Sequence, residues 1–566
     1  PRRLWHAGRA WVVILAAGCA VAAVQLLPTW EAVTLSQRAG EGVEFAASFS
    51  SAPANLLTYV VPHLFGNQAD APFVGSWSYW ESLGYLGIAP LLLAAFAVAA
   101  LPWRRTLPAA AVVALALVLS LGTHTPLFEP WVKLVPGADL FRSPGRFCLV
   151  ATLLVSLLAA QGLDAWLGEL ARRRRLVATA AAVACALALV VASLALRPDS
   201  ADDHVALVTA VDPASKVGEQ AAASAATALV PLARSSAGTS AVLAALAGVL
   251  LLLGLRRNAR WRRAGGIAVL VLLAVDLHLF GHGFLTTAPA DRFRWPAAVE
   301  DLLRSRPPGT RIVTTPDLRA PNRGAALGAS DVGGYDILMD ATYGRYLNRA
   351  AGRDPDRFVA FARIKRWSPA LDRLGASLLL SGTPMNGGRS QYAQGFGAFE
   401  PWRKIGGLYL YRHPDPAPRA VLVHRTETYR DEAAAFERLA DTAFDLRKVA
   451  LVETAVTGLG APFPGDLATI EVYEPNRVEI RVIAGEPGLL VLSDNPWPGW
   501  SAAVDGAPAE ILRANLVMRA VRVPAGKHLV EFRFLPTTFV IGGAISLLSV
   551  LALIAAFVWT RRRSRG

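Results

Sequence analysis

The chain has 566 residues, 53% of them hydrophobic and 18% charged, with a formal net charge of +14. Its mean hydropathy is +0.37, and the apolar residues gather into runs approaching the roughly 20 residues that cross a bilayer, which excludes an ordinary soluble domain. The arginines stand in short blocks beside those runs, as membrane topology requires, and this placement argues against a nucleic-acid partner.

Taken in order, the apolar runs predict eight spans, at about 9–27, 84–101, 107–121, 146–163, 176–196, 241–255, 264–283 and 538–559. Basic blocks flank alternate ends: Arg2 and Arg3, Arg104 and Arg105, Arg172 to Arg175, Arg256 to Arg263, and Arg561 to Arg565. The loops 28–83, 122–145 and 197–240 are poorer in Lys and Arg for their length, so the positive-inside rule places every basic block in the cytoplasm. Alanine-rich spans predict close helix packing. Cys19, Cys148 and Cys185 all lie in apolar runs without CxxC spacing, so neither disulfides nor a zinc site is expected. The chain begins at Pro1 with no signal peptide, from which an N-terminally incomplete protein is expected.

The large insert 284–537 carries turn signals and short β-type runs, "RIVTTP", "SLLLSG" and "LYLYRH". Its last third, with "ATIEVYEPNRVEIRVIA" and "GLLVLSDNPWPGW", alternates apolar and polar residues as half-buried strands do. Asp505-Gly506 predicts a tight hairpin, and Pro524 to Gly526 a second turn. The expected fold is a polytopic α-helical membrane protein of about eight spans. It carries a large extracytoplasmic α+β domain that ends in a β-sandwich. The expected regions are a helical bundle over 1–283, an α/β region over 284–420, a β-rich domain over 421–537, and a final span with a basic tail over 538–566.

Stretches spread over nearly the whole chain resemble the YfhO family of bacterial membrane proteins, themselves similar to the GT-C class of glycosyltransferases. They include "VQLLPTWEAVTLSQR", "YWESLGYLGIAPLLLA", "LFRSPGRFCLVATLLVSLLAAQGLD", "DVGGYDILM", "LDRLGASLLLSG" and "LSDNPWPGWSAAVDGAPAEILRANLVMRAVRVPAGKHLVEFRF". The resemblance implies a protein of the bacterial cytoplasmic membrane that moves a sugar from a polyprenyl-phosphate donor onto an envelope glycan at the outer face. Its partners would be that donor, the glycan acceptor and membrane lipid, with no cofactor and no metal. The GT-C catalytic acid would fall in the missing N-terminal part. Two other readings stand beside it: a non-catalytic envelope protein that binds glycan, and a transporter of the lipid-linked sugar.

Such a transfer needs a carboxylate to take the acceptor's proton and cations to stabilise the departing phosphate. Arg142 and Arg146, in "LFRSPGRF", sit at the outer mouth of a span, where the positive-inside bias disfavours them, and a guanidinium suits a phosphate through two hydrogen bonds. The alternative is an arginine that snorkels to headgroups or pins the Pro144-Gly145 turn. Glu31 and Arg38 stand seven residues apart in a short predicted helix and would share one face. Glu31 is the candidate catalytic carboxylate and Arg38 a candidate substrate contact; an interfacial ion pair is the other reading. Glu81, among the aromatics of "YWESLGY", is a further substrate-binding candidate. Asp276, in "VDLHLFGHGF", is expected to pair within the bundle or with Arg146. His278 and His282 have metal-ligand spacing but no supporting cluster. Asp331, Tyr335 and Asp336 read as a turn, and Trp497 and Trp500 as core.

Overall fold

A computed structural model describes residues 2–39, 42–67, 69–75, 79–211, 219–256, 258–284, 287, 289, 294–318, 322–358, 361–362, 364–385 and 395–563. Among them, six helices are long and apolar enough to cross a bilayer: Trp103–Ser120, Pro144–Leu167, Arg172–Ala195, Ala228–Leu255, Ala259–Phe284 and Thr537–Arg563. A seventh element is a pair, Gly8–Val21 and Ala23–Leu35, bent by 77°. The chain therefore has the build of a multi-pass membrane protein with a large sheet-rich region before its last helix.

The run expected to cross at 84–101 differs. Its helix, Ile88–Ala100, has 13 residues, about 20 Å at 1.5 Å per residue, which falls short of a hydrocarbon core of about 30 Å. Nine of its residues are buried, so its apolarity serves packing against other helices. The expected loop 197–240 is also mostly helical, with Ala201–Val211 and then a 34-residue helix, Glu219–Leu252. Alanine is the strongest helix former, so an Ala/Ser-rich stretch without hydrophobic periodicity still coils.

The chain divides into two compact units, residues 40–288 and residues 1–39 with 289–566. The bundle expected over 1–283 is thus interrupted, because the first 39 residues belong with the sheets and the final helix. The contact that ties them is close. A Cβ on Gly542 would stand 2.4 Å from the Ala23 carbonyl oxygen. The Ser546 hydroxyl accepts the Val24 N–H at 2.9 Å and donates to the Ala20 carbonyl at 3.4 Å. These are backbone groups beside the bend, and in hydrocarbon each would cost several kcal/mol if left unmade.

The same unit holds three large sheets. The first, over 311–412, is mixed: Arg311–Thr314 pairs in parallel with Ser330–Asp331 and Ala376–Ser381, and the strands Leu408–Arg412 and Glu400–Ile405 add antiparallel. A six-stranded and a five-stranded sheet follow. Val478, Ile480, Val530 and Phe532 of the latter pack on Leu422, Leu490 and Val521 of the former, which makes the expected sandwich. One core cluster runs from Val313 through Tyr411 to Ala520, so the regions expected at 284–420 and 421–537 share a core. Val504 pairs with Ala507, and Asp505 and Gly506 both have positive φ, 52° and 81°, as a type I′ hairpin needs. The turn at Pro524 hands the chain from Met518–Val523 in one sheet to Gly526–Phe534 in the other.

In the unit 40–288, Ile88–Ala100 packs beside Cys148–Leu167 so closely that a Cβ on Gly162 would meet the Leu93 carbonyl at 2.0 Å. At one end, Arg175 donates to the carbonyls of Trp166, Gly168 and Gly254, capping orphaned helix ends. At the other, Cys148 lies against Leu83, and Asp276 against Ile88. The blocks at Arg104, Arg172 and Arg256 therefore gather at one end of this unit, and Glu81, Arg146 and Asp276 at the opposite end.

Candidate functional site

The helix Cys148–Leu167 is entered through a short 3₁₀ turn, Pro144–Phe147. Ser143, just before it, is left-handed at φ 67° and buried. Gly145 is required at the next bend, since a Cβ there would lie 2.6 Å from Ser51 Oγ and 2.8 Å from the Glu81 carbonyl oxygen. This close approach brings Glu81 to Arg146. Arg146 Nε donates to Oε2 at 2.5 Å and Nη2 donates to Oε1 at 2.8 Å, a bidentate fork. Arg142 lies beside them, its guanidinium 5.0 Å from the Phe49 ring centroid.

The hydrogen bond from Arg146 holds the Glu81 carboxyl below the usual carboxylate range. Partial burial opposes this, and the charges of Arg146 and Arg142 add to it. The Arg146 side chain is nevertheless 58% exposed. It stands with Arg142 on the wall of a cavity of about 420 Å³, whose remaining lining includes Phe128, Trp131, Phe141 and Phe147. An apolar, aromatic cavity with two guanidinium groups in its wall suits an anion carried on a hydrocarbon tail. Of the five residues singled out from the sequence, three, Arg142, Arg146 and Glu81, come together here.

Glu31 and Arg38 do not belong to this cluster, and they do not share a helical face. The helix ends at Leu35 and Ser36 is extended, because Ser36 bridges to Asp340 and the Gln37 N–H donates to the Met339 carbonyl. Glu31 accepts the Thr538 hydroxyl at 2.6 Å, and Arg38 Nε donates to the Ile337 carbonyl at 3.0 Å. Asp276 pairs within the bundle and not with Arg146: it accepts the Tyr85 hydroxyl at 2.6 Å and the Ile88 N–H at 2.8 Å, so it caps the short helix. His282 Nδ1 faces the carbonyls of His278 and Leu279, and among the described residues no three metal-ligating side chains converge.

Asp331 accepts from Thr314 Oγ1 and the Gly333 N–H, as a turn residue does. Trp500 has its face covered by Arg519 at 3.8 Å. What the sequence did not reveal was the partner of each carboxylate. Glu81 and Arg146 are 65 residues apart, and the only local hint was that each opens an apolar run. No family model matches the chain, and no curated protein or solved structure matches it either.

Proposed function

We propose that the chain is a bacterial membrane glycosyltransferase of the GT-C type, which moves a sugar from a polyprenyl-phosphate donor onto an envelope glycan at the outer face of the cytoplasmic membrane. The observation that carries this reading is the pair Arg142 and Arg146 on the wall of the apolar cavity, at the end of its unit opposite the three arginine blocks. With those blocks in the cytoplasm, the cavity faces outward at headgroup depth. The YfhO-like stretches and the large sheet-rich region, read as an extracytoplasmic domain that receives the acceptor, support the same conclusion.

In this reading Arg146 binds the donor phosphate and neutralises the charge that grows on it as the sugar departs. Glu81 is a positioning residue, because its bidentate bond fixes the plane of the guanidinium. Glu31, in the unit of residues 1–39 and 289–566, is the base expected from the sequence, and its carboxylate accepts the Thr538 hydroxyl. The test is made on the full-length gene in its own host. Deletion is expected to remove one sugar from isolated envelope polymers, measured by mass spectrometry; wild type restores it, and Arg146→Ala and Glu31→Gln do not. Polymers unchanged by the deletion would overturn the transferase reading, and rescue by Arg146→Ala would remove the phosphate site.

A further inference from the structure

A second cavity lies in the unit 40–288, at the same end as Arg146 but with the opposite chemistry. It has a volume of about 230 Å³, and its wall includes His63, Asp70, Tyr85, Ser240, Asp276 and Phe280. No lysine or arginine lines it among the described residues. Asp276 is 4% exposed. Both its oxygens act as acceptors, from Tyr85 and Ile88. A carboxylate offers about four lone-pair sites, so acceptor capacity is left over. Asp70 accepts one hydrogen bond from Asn67 Nδ2 at 2.9 Å.

His63 adds no positive charge. Burial lowers its pKa to about 4, with Asp70 opposing, so the ring is neutral at neutral pH. That ring stacks on Phe280, with centroids 5.4 Å apart and planes 13° apart, and its Nδ1 is buried without a hydrogen-bond partner among the described residues. Buried polar atoms are rarely left unpaired, so the His63 ring has a hydrogen bond left to make. Two carboxylates repel a phosphate, and two carboxylates with aromatic faces attract an organic cation.

We propose that this chamber binds a protonated amine, its ammonium held between Asp70 and Asp276 and against the rings of Tyr85 and Phe280. The hydroxyls of Ser236, Thr239 and Ser240 on the same wall suit an amine carried on a hydroxylated ring, an amino sugar. Binding is read without turnover, so this proposal does not depend on the transfer chemistry proposed above. Full-length protein in lipid nanodiscs is titrated calorimetrically with glucosamine and, separately, with glucose, which lacks only the amine. Glucosamine is expected to bind at least about tenfold more tightly, and Asp70→Asn to remove about fivefold of that preference, the scale of one partly exposed charge pair. Asp276→Asn is expected to remove more. Because it also weakens the cap on Ile88, its melting profile is recorded, and Asp70→Asn carries the test if Asp276→Asn does not fold. Equal affinities for the two sugars, glucosamine binding unchanged by Asp70→Asn, or no binding of either sugar would each overturn the proposal.

Discussion

Among the carboxylates of this chain that are met by arginines, Asp494 and Glu81 separate a structural role from a functional one. Asp494, in the sheet-rich unit, accepts from Arg419 at 2.8 Å, Arg311 at 3.1 Å and Arg519 at 3.3 Å, and from the Tyr473 hydroxyl at 3.1 Å. Arg311, Arg519 and Tyr473 come from three different sheets. The arginines also donate to the carbonyls of Gly309, Leu374 and Ser493. The network is buried, with 13% or less of any charged side chain in it exposed. Glu81, by contrast, holds one arginine in a bidentate pair, and that arginine lies largely open on a cavity wall. A buried charge met from three sheets joins them; an exposed one beside a cavity is placed to meet a ligand.

The sharpest way to break this contrast is Asp494→Ala. It leaves three buried guanidinium groups without their carboxylate, and breaking a buried pair in this way costs about 3–5 kcal/mol. Thermal unfolding of the purified protein should show a large drop. Burial alone would push the Asp494 carboxyl up; Arg419, Arg311 and Arg519 outweigh it and hold it at about 2. A depressed carboxyl contributes stability that is present above its unfolded value of about 3.9 and is lost as pH falls through the folded one. Acid titration should therefore weaken the wild type between about pH 4 and 2 through this group, and Asp494→Asn should flatten that limb.

A middle-sized effect is expected at the bend near Ala22. Ser546→Ala leaves the Val24 N–H and the Ala20 carbonyl without their side-chain partner, a cost of about 1–3 kcal/mol. Gly542→Leu forces apart helices that meet without a Cβ between them. Both should lower the melting temperature, and neither should alter donor affinity, since they lie outside the unit that holds Arg146.

The sequence made the long apolar helices legible because twenty apolar residues leave the backbone no other choice in lipid. It made the Asp505-Gly506 hairpin legible because few residue pairs accept two positive φ values. It misjudged Ile88–Ala100, since an apolar run reads alike whether lipid or protein surrounds it. It placed Arg38 on a helix because nothing between Glu31 and Arg38 signals a stop; the stop comes from pairing with Met339 and Asp340, far along the chain. For the candidate site, residue types were legible, but partners were not. Glu81 with Arg146, and Asp276 with Ile88, are long-range contacts without a local period.

A smaller effect is expected at His528, whose Nδ1 faces Asp505 at 2.7 Å and Nε2 the Ala525 carbonyl at 3.2 Å. Both partners are acceptors, so the ring donates from both nitrogens, and the Asp505 hydrogen bond raises its pKa. A raised histidine contributes stability that is full below its unfolded value of about 6.5 and is lost as pH rises through the folded one. The loss should be about 1 kcal/mol or less for so exposed a pair. Melting temperatures on either side of neutrality would show it, and Asp505→Asn should abolish the difference.

The smallest stability effect is expected at Glu81→Gln, which removes a largely exposed ion pair worth about 0–1 kcal/mol and should shift melting by less than about 4 °C. Its value is functional. Glutamine keeps the shape of the side chain but offers one acceptor oxygen where the carboxylate offers two, so the guanidinium loses its fixed plane. If Glu81 orients Arg146, transfer assays should show the donor KM rising several-fold with kcat less affected, and Glu81→Asp should recover part of the loss. If Glu81 instead competes with the donor phosphate for the same nitrogens, Glu81→Gln should lower the donor KM. The bidentate geometry favours the first outcome, because Nε and Nη2 are both engaged by the carboxylate while the side chain stays exposed to the cavity. A phosphate can then approach a guanidinium already held in place, which spares the donor the entropy of ordering a long, mobile arginine.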